Sequence, residues 1–287
     1  MRSRQKTCLR NGSTKAMATY LHFAAPSIVL VIFTRESALD QSSFQSFGIK
    51  MASESTEKPF VVSIEGNIGS GKSTMLKHFN KLSDVELLQE PVDQWCDLKG
   101  HNLLAKLYED PHRWSFQFQS YIQLTRLKLL KSSTDKKVKI LERSIQSNRH
   151  CFLELARRDK TLSEPELQVL YSWYDWLDET VTLDLDLIVY LRTDPEIAYE
   201  RMRKRNRSEE SNAPKELLEN LHQVYEDWLI NKTVGKLKVP VLVLDANKDI
   251  DELTDTYVRY QDQICGLKPL DDKDDKENDS NVSKANS

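Results

Sequence analysis

Several short groups of residues in this chain have the types and spacing needed to move a phosphoryl group. The run Gly66-Asn67-Ile68-Gly69-Ser70-Gly71-Lys72-Ser73 fits the G-x-x-x-x-G-K-[ST] phosphate loop. Its glycines let the backbone close round a β-phosphate, so that successive N–H groups and the positive end of the next helix face the anion. Lys72 is expected to reach the β- and γ-phosphates, and the Ser73 hydroxyl a Mg²⁺ ion. The implied ligand is a nucleoside triphosphate; the plain alternative is a glycine-rich turn before a helix. In Gln89-Glu90-Pro91-Val92 the proline turns the chain out of its strand, which aims Glu90 at the phosphate side. A carboxylate there can take the proton from an acceptor hydroxyl, a contribution of order 10²–10⁴ in rate. In Leu141-Glu142-Arg143-Ser144, Glu142 is suited to hold Mg²⁺ directly or through water, and Arg143 to hold Glu90 and the acceptor oxygen together. The structural alternatives are a solvated strand-end acid at Glu90 and a simple ion pair at Glu142-Arg143. From Arg201 to Glu210, through Arg203, Arg205 and Arg207, cations recur every second residue, a density that repels itself unless it faces anions. A lid folded over the triphosphate supplies them, and arginines at a transferring phosphoryl group are worth of order 10³–10⁵ in rate. A basic, solvated helix end is the alternative.

These groups need a frame that brings them to one edge. Short β-rich runs at Phe60–Glu65, Val85–Glu90, Val138–Glu142, Leu185–Arg192 and Val239–Asp245 alternate with longer helical patterns. The helices are expected at Lys72–Leu82, Pro111–Lys131, Ile145–Arg158, Glu164–Thr182, Pro195–Arg205, Pro214–Lys232 and Ile250–Cys265. Such alternation implies the α/β class: a P-loop NTPase-type parallel five-stranded sheet flanked by helices, with the arginine-rich lid. A sheet of this kind binds ligands beyond the carboxyl ends of its strands, where Gly66, Glu90 and Glu142 fall.

With 287 residues, 39% hydrophobic and 30% charged, the chain can bury one domain of roughly 200–220 residues and leave both ends over. The expected organisation is an N-terminal extension over 1–58, a catalytic domain over 59–266 and a disordered acidic tail over 267–287. A net charge of −3, without a basic stripe interleaved with aromatics, disfavours a polynucleotide partner and points to small molecules. Cys8, Cys96, Cys151 and Cys265 are scattered, which argues against a disulfide framework or a zinc site. Upstream, Arg2, Arg4, Lys6, Arg10, Lys15 and Arg35 precede the first acid, Glu36, which is transit-peptide composition. The apolar run Tyr20–Phe33 is close to a signal-peptide core and short for a membrane span, so no stable membrane association is expected. Mitochondrial import therefore stands beside a cytosolic or nuclear product that begins at Met51.

Taken together, Ile64 to Ser73, Glu90-Pro91-Val92, Phe118-Gln119-Ser120-Tyr121, Glu142-Arg143-Ser144, Ser208-Glu209-Glu210 and Glu226-Asp227-Trp228-Leu229 resemble the eukaryotic deoxyribonucleoside kinases. The likeness runs from about Pro59 to Asp245. It implies ATP-dependent 5′-phosphorylation of a deoxyribonucleoside and a homodimer. By the same resemblance, Glu90 is the general base on the 5′-hydroxyl, with Arg143 beside it. Tyr108 and Glu210 hold the 3′-hydroxyl, and the tyrosine ring crowds C2′. Gln119 reads the base edge, Phe152 stacks on the base and Trp95 closes the pocket, with Phe118 in the same wall. Gln119, Ile122 and Arg126 recur at i, i+3 and i+7, and Asn148 and Phe152 at i, i+4, so each set shares a helix face.

The chain departs from both branches of that family. Thymidine-accepting members carry apolar or small residues where this chain has Arg126 and Asn148, and Arg126 fills the room of the 5-methyl group. Deoxycytidine and deoxyguanosine kinases pair this arginine with an aspartate at the Asn148 position and have a smaller residue than Ile122. A buried guanidinium without a carboxylate costs several kcal/mol, so Arg126 must find another acceptor, reach water or bond the base. The expectation is that deoxycytidine is favoured, with purine or broad activity and weak thymidine use. A nucleoside monophosphate kinase shares loop and lid, but Glu90 would repel its acceptor phosphate. A non-catalytic accessory subunit of the respiratory complex resembles the family too; it would have no need of Lys72, Ser73, Glu90, Arg143 and Glu210 together.

Overall fold

The computed structural model describes residues 58–270, together with an upstream antiparallel pair of short strands, β1 (Met17–Thr19) and β2 (Ile32–Thr34). The chain divides into two units, Met1–Ser55 and Thr56–Ser287. The Met51-start expectation and most of the transit-peptide and tail segments fall outside the described residues; of the tail expected over 267–287, residues 267–270 are described, and Leu270 packs against the core.

In the larger unit β3 (Phe60–Gly66), β4 (Val85–Leu88), β5 (Val138–Glu142), β6 (Leu187–Arg192) and β7 (Val241–Asp245) form an all-parallel sheet of order β4-β5-β3-β6-β7. All five strands anticipated from the sequence are present, in an α/β fold. Their near-continuous apolar runs arise because both faces are covered. Alternate residues serve opposite cores: Val62, Ile64, Ile140 and Val189 lie on one side, Val61, Leu141, Ile188 and Tyr190 on the other. Each such side chain contributes about 1.5–3 kcal/mol by leaving water.

The connecting helices are α1 (Lys72–Phe79), α2 (Val92–Cys96), α3 (Leu103–Glu109), α4 (Pro111–Leu130), α5 (Ile145–Ser147), α6 (Leu153–Arg158), α7 (Glu164–Thr180), α8 (Pro195–Arg205), α9 (Lys215–Tyr225), α10 (Ile250–Arg259) and α11 (Gln261–Ile264). Their starts follow local chemistry. The Asp110 side chain accepts from the Arg113 N–H ahead of α4, and Ser163 with Glu166 forms a capping box on α7. Met75, Leu76 and Phe79 of α1 pack with Leu253 and Tyr257 of α10 against one sheet face; Leu221, Val224 and Tyr225 of α9 cover the other.

Three expected helices are interrupted, one of them, Ile250–Cys265, by a break at Tyr260 between α10 and α11. Between α5 and α6 the chain makes a wide π turn, Asn148–Phe152, in which the Leu153 N–H reaches the Asn148 carbonyl. After α9 a second π turn, Glu226–Ile230, takes over. Helices α2 and α3 were not anticipated, because runs of five and seven residues are too short to display an apolar period. Val169, Trp173 and Trp176 recur at i, i+4 and i+7 on α7 and form an exposed apolar face in which the tryptophans are 55% and 50% accessible and meet edge-on.

Candidate active site

Strand β3 ends in the phosphate loop, and the loop is held from behind. A Cβ at Gly69, whose φ is +81°, would lie 2.2 Å from the Ala198 carbonyl oxygen of α8, so only glycine lets α8 pack this closely. The Asn67 amide donates to the Leu218 carbonyl (2.8 Å) and accepts from the Ile68 N–H (2.8 Å), which ties the loop to α9. Gly71, at φ +96°, turns the chain into α1. The Lys72 ammonium bends back to the Asn67 and Gly66 carbonyls, at 2.6 and 3.2 Å, and lies 3.5 Å from Ser70 Oγ. Burial, helped by Arg143, pulls its pKa down to about 7. Ser73 Oγ donates to both Glu142 oxygens, at 2.9 and 3.2 Å.

Opposite the loop stands Glu90, just past the end of β4, with a guanidinium on each carboxylate oxygen. Arg143 Nη1 reaches Oε2 at 3.1 Å, and Arg126 Nη2 from α4 bonds Oε1. Burial alone would raise the Glu90 pKa; Arg143 first, then Arg126 and Lys72, reverse this and bring it to about 2. The guanidinium that the sequence left without a carboxylate has therefore found one in the acceptor-side acid.

The neighbouring helices build the rest of one cavity of about 550 Å³. Trp95, Tyr108, Phe118, Gln119, Ile122, Arg126 and Phe152 line it, together with Glu90, Glu142, Arg143, Arg205, Arg207 and Glu210; of the loop, Ile68, Gly69, Lys72 and Ser73 face it. Trp95 donates to Thr125 Oγ1 (3.0 Å) and meets Phe118 edge-on with centroids 5.9 Å apart. The Arg143 and Arg126 guanidinia sit 5.0 and 5.6 Å from the Phe152 ring centre. Two buried polar atoms of the cavity wall have no partner among the described residues: Gln119 Oε1 and Arg126 Nε. Buried groups left this way cost about 1–3 kcal/mol each, which suits a site completed by a polar ligand.

Asn148 does not line the cavity; it stands fully buried behind the wall, close enough to lower the Tyr174 phenol pKa against the rise that burial imposes. On the arginine-rich segment the side chains divide. Arg205 and Arg207 bond the two oxygens of Glu210, at 2.6 and 2.8 Å, whereas Arg203 donates to the Ser211 carbonyl and is not part of the cavity. Burial and the nearby Glu210 carboxylate push the Tyr108 phenol pKa up. A brace absent from the sequence reading joins Asn102, the cap of α3, to Glu209 at 2.8 Å, beside Glu210. Glu65 and Tyr225, which grip Arg143 and Ser144 from behind, were also missed as site residues; Glu65 carried a signal only as a charged residue inside an apolar strand.

Residues 62–265 match the deoxynucleoside kinase family. The chain is 40% identical over 208 residues to the Homo sapiens protein named thymidine kinase 2, mitochondrial, which covers 72% of this chain and 78% of that one. It is 36% identical over 227 residues to the deoxycytidine kinase of Mus musculus, covering 69% of this chain and 87% of the relative. Deoxycytidine kinase 2 of Gallus gallus is 35% identical over 229 residues, with 69% and 86% covered.

Proposed function

This chain belongs to the deoxynucleoside kinase family, and on that premise we propose that it transfers the γ-phosphoryl group of ATP to the 5′-hydroxyl of a deoxyribonucleoside, deoxycytidine above all. One observation carries the acceptor assignment. The ionised Glu90 lines the same cavity as the phosphate loop, within electrostatic reach of Lys72, where it suits a hydroxyl and would repel an acceptor phosphate. Glu90 takes the proton as the 5′-oxygen attacks the γ-phosphorus and the bond to the β-phosphate oxygen breaks, releasing ADP. Arg143 holds Glu90 and the incoming oxygen in line. Lys72 leaves its carbonyls for the β- and γ-phosphates, and Arg205 and Arg207 act as the lid that meets the transferring group. The Ser73 hydroxyl and the Glu142 carboxylate, already 2.9 Å apart, offer the hard oxygen donors that Mg²⁺ prefers and would hold it there, where it would neutralise charge on the phosphates. Tyr108 and Glu210 hold the 3′-hydroxyl.

Gln119 and Arg126 read the base with their unpaired atoms, while Phe152 and Trp95 enclose its faces and edge. Arg126 takes the space of a 5-methyl group, which places thymidine below deoxycytidine and leaves purines possible substrates. A thymidine preference is the second reading, favoured by the identity to the human relative named thymidine kinase 2. We read 59–266 as the kinase domain, in keeping with the family match, and residues 1–58 as an extension that directs the protein to mitochondria. The tryptophan patch on α7 supports a homodimer; Trp173→Glu should then halve the particle mass in analytical ultracentrifugation, and an unchanged mass removes the patch from the interface.

Phosphorylation of deoxycytidine, thymidine, deoxyadenosine, deoxyguanosine and dCMP by the full chain with ATP, with Glu90→Gln alongside, tests the whole reading. Nucleoside turnover that collapses in the variant supports it. Turnover of dCMP alone moves the assignment to a monophosphate kinase, and comparable rates on thymidine and deoxycytidine sink the base preference.

A further inference from the structure

Arg143 adopts φ +62°, a left-handed conformation that a non-glycine residue keeps only when its surroundings hold it there. What holds it is a buried polar cluster inside an otherwise apolar sheet face. Glu65, the residue before the phosphate loop, has no exposed surface. Its Oε1 accepts from the Ser144 N–H (2.8 Å), Ser144 Oγ (2.6 Å) and Ser63 Oγ (2.9 Å). Its Oε2 accepts from the Tyr225 hydroxyl at 3.2 Å, and that hydroxyl accepts from Arg143 Nε, also at 3.2 Å. The remaining arms of the guanidinium reach the Gly66 carbonyl at 2.9 Å and Glu90 at 3.1 Å. Tyr225 and the Gly66 carbonyl, neither of which lines the cavity, thereby hold the guanidinium from behind and leave its third arm on Glu90.

We propose that Glu65 and Tyr225 are positioning residues for the phosphoryl transfer proposed above: together they lock the Arg143–Ser144 turn and aim the Arg143 guanidinium at Glu90. Packing alone gives no reason for such a cluster, since an apolar filling of the same volume avoids the desolvation of a carboxylate. The cluster also joins the two halves of the site, because Glu65 precedes Gly66 in the chain and Arg143 bonds the Gly66 carbonyl that Lys72 shares.

Tyr225→Phe removes only the hydroxyl, since its ring stays stacked on Tyr190 with centroids 5.7 Å apart. We expect the Arg143 Nε–H, which donates to the Tyr225 hydroxyl, to be protected from exchange in the parent protein and to exchange faster in the variant. We also expect kcat to fall of order 10- to 100-fold with the nucleoside KM nearly unchanged. The acid limb of the pH–rate profile should move to higher pH, because Arg143 helps to hold the Glu90 pKa down. A merely structural tyrosine would lower the melting temperature and leave limb and resonance in place, and that result overturns the proposal. If the parent protein phosphorylates no deoxynucleoside, the kinase reading fails, while the Arg143 Nε–H exchange still decides the positioning role. Glu65→Gln should show the same pattern more strongly; where it does not fold, Tyr225→Phe decides.

Discussion

In the phosphate loop the polar groups satisfy one another: Lys72 bonds the loop's own carbonyls, Asn67 ties the loop to α9, and Ser73 meets Glu142. The wall that we read as the nucleoside's is unfinished, with Gln119 Oε1 and Arg126 Nε buried and unpaired among the described residues. The contrast follows from the two ligands. A triphosphate tail is the same in every nucleotide, so one self-contained cradle serves for it, with Lys72 exchanging loop carbonyls for phosphate oxygens. Bases differ in their donor and acceptor edges, and atoms held unpaired gain their bonds only when the right edge arrives, which makes selectivity a property of the empty site. One half is therefore contiguous in sequence and closed, the other dispersed over several helices and open.

The largest effect expected from this division is at Glu90, on the boundary. Glu90→Gln should lower turnover of order 10²–10⁴ while nucleoside still binds. The same variant tests the charge arrangement. The folded pKa of Glu90, about 2, lies below the ordinary 4.5, so its stabilising contribution is complete above that ordinary value and is lost as pH falls from about 4.5 toward 2. Acid-unfolding curves should show that loss in the parent and not in Glu90→Gln. Lys72→Met comes next, with a loss of order 10²–10³ in kcat/KM for ATP and an unaltered nucleoside Kd. Parallel weakening of both ligands would break the comparison, since the halves would then not be separable. Arg126→Met should shift the deoxycytidine-to-thymidine ratio of kcat/KM toward thymidine by about 10- to 100-fold; competition assays with the two nucleosides read it directly. The smallest change is at Gln119→Leu, where loss of one neutral base contact should raise the nucleoside KM about tenfold and leave the KM for ATP alone.

The same division governs what could be read from the chain. The loop, the strands and the position of Glu90 were legible because their signals are local: a fixed motif, runs buried on both faces, and a proline that follows shortly after β4. The sequence also posed a question at Arg126, but its answer lies 36 residues upstream at Glu90, a separation that no periodicity reports. Asn148 and Phe152 read as one helix face at i, i+4; the π turn widens that step, leaving Phe152 on the cavity and Asn148 behind it. Arg203, Arg205 and Arg207 look equivalent in a charge run, yet two residues apart on α8 Arg203 and Arg205 face different sides, and Asn206 at φ 54° redirects the chain before Arg207; Arg205 and Arg207 meet Glu210 while Arg203 bonds the Ser211 carbonyl. Helices α2 and α3, which carry Trp95 and Tyr108, were invisible for want of length.

The π turn at Asn148–Phe152 also constrains how this pocket can change over generations. A wide turn of this kind amounts to one residue more than an α-helix needs, and removing a residue there would rotate everything beyond it by about 100°. Phe152 would swing off the two guanidinia, and α6 would present a different face to α9. Substitutions can therefore retune this wall one side chain at a time, whereas a single-codon deletion within 148–152 should be purged from a library selected for activity.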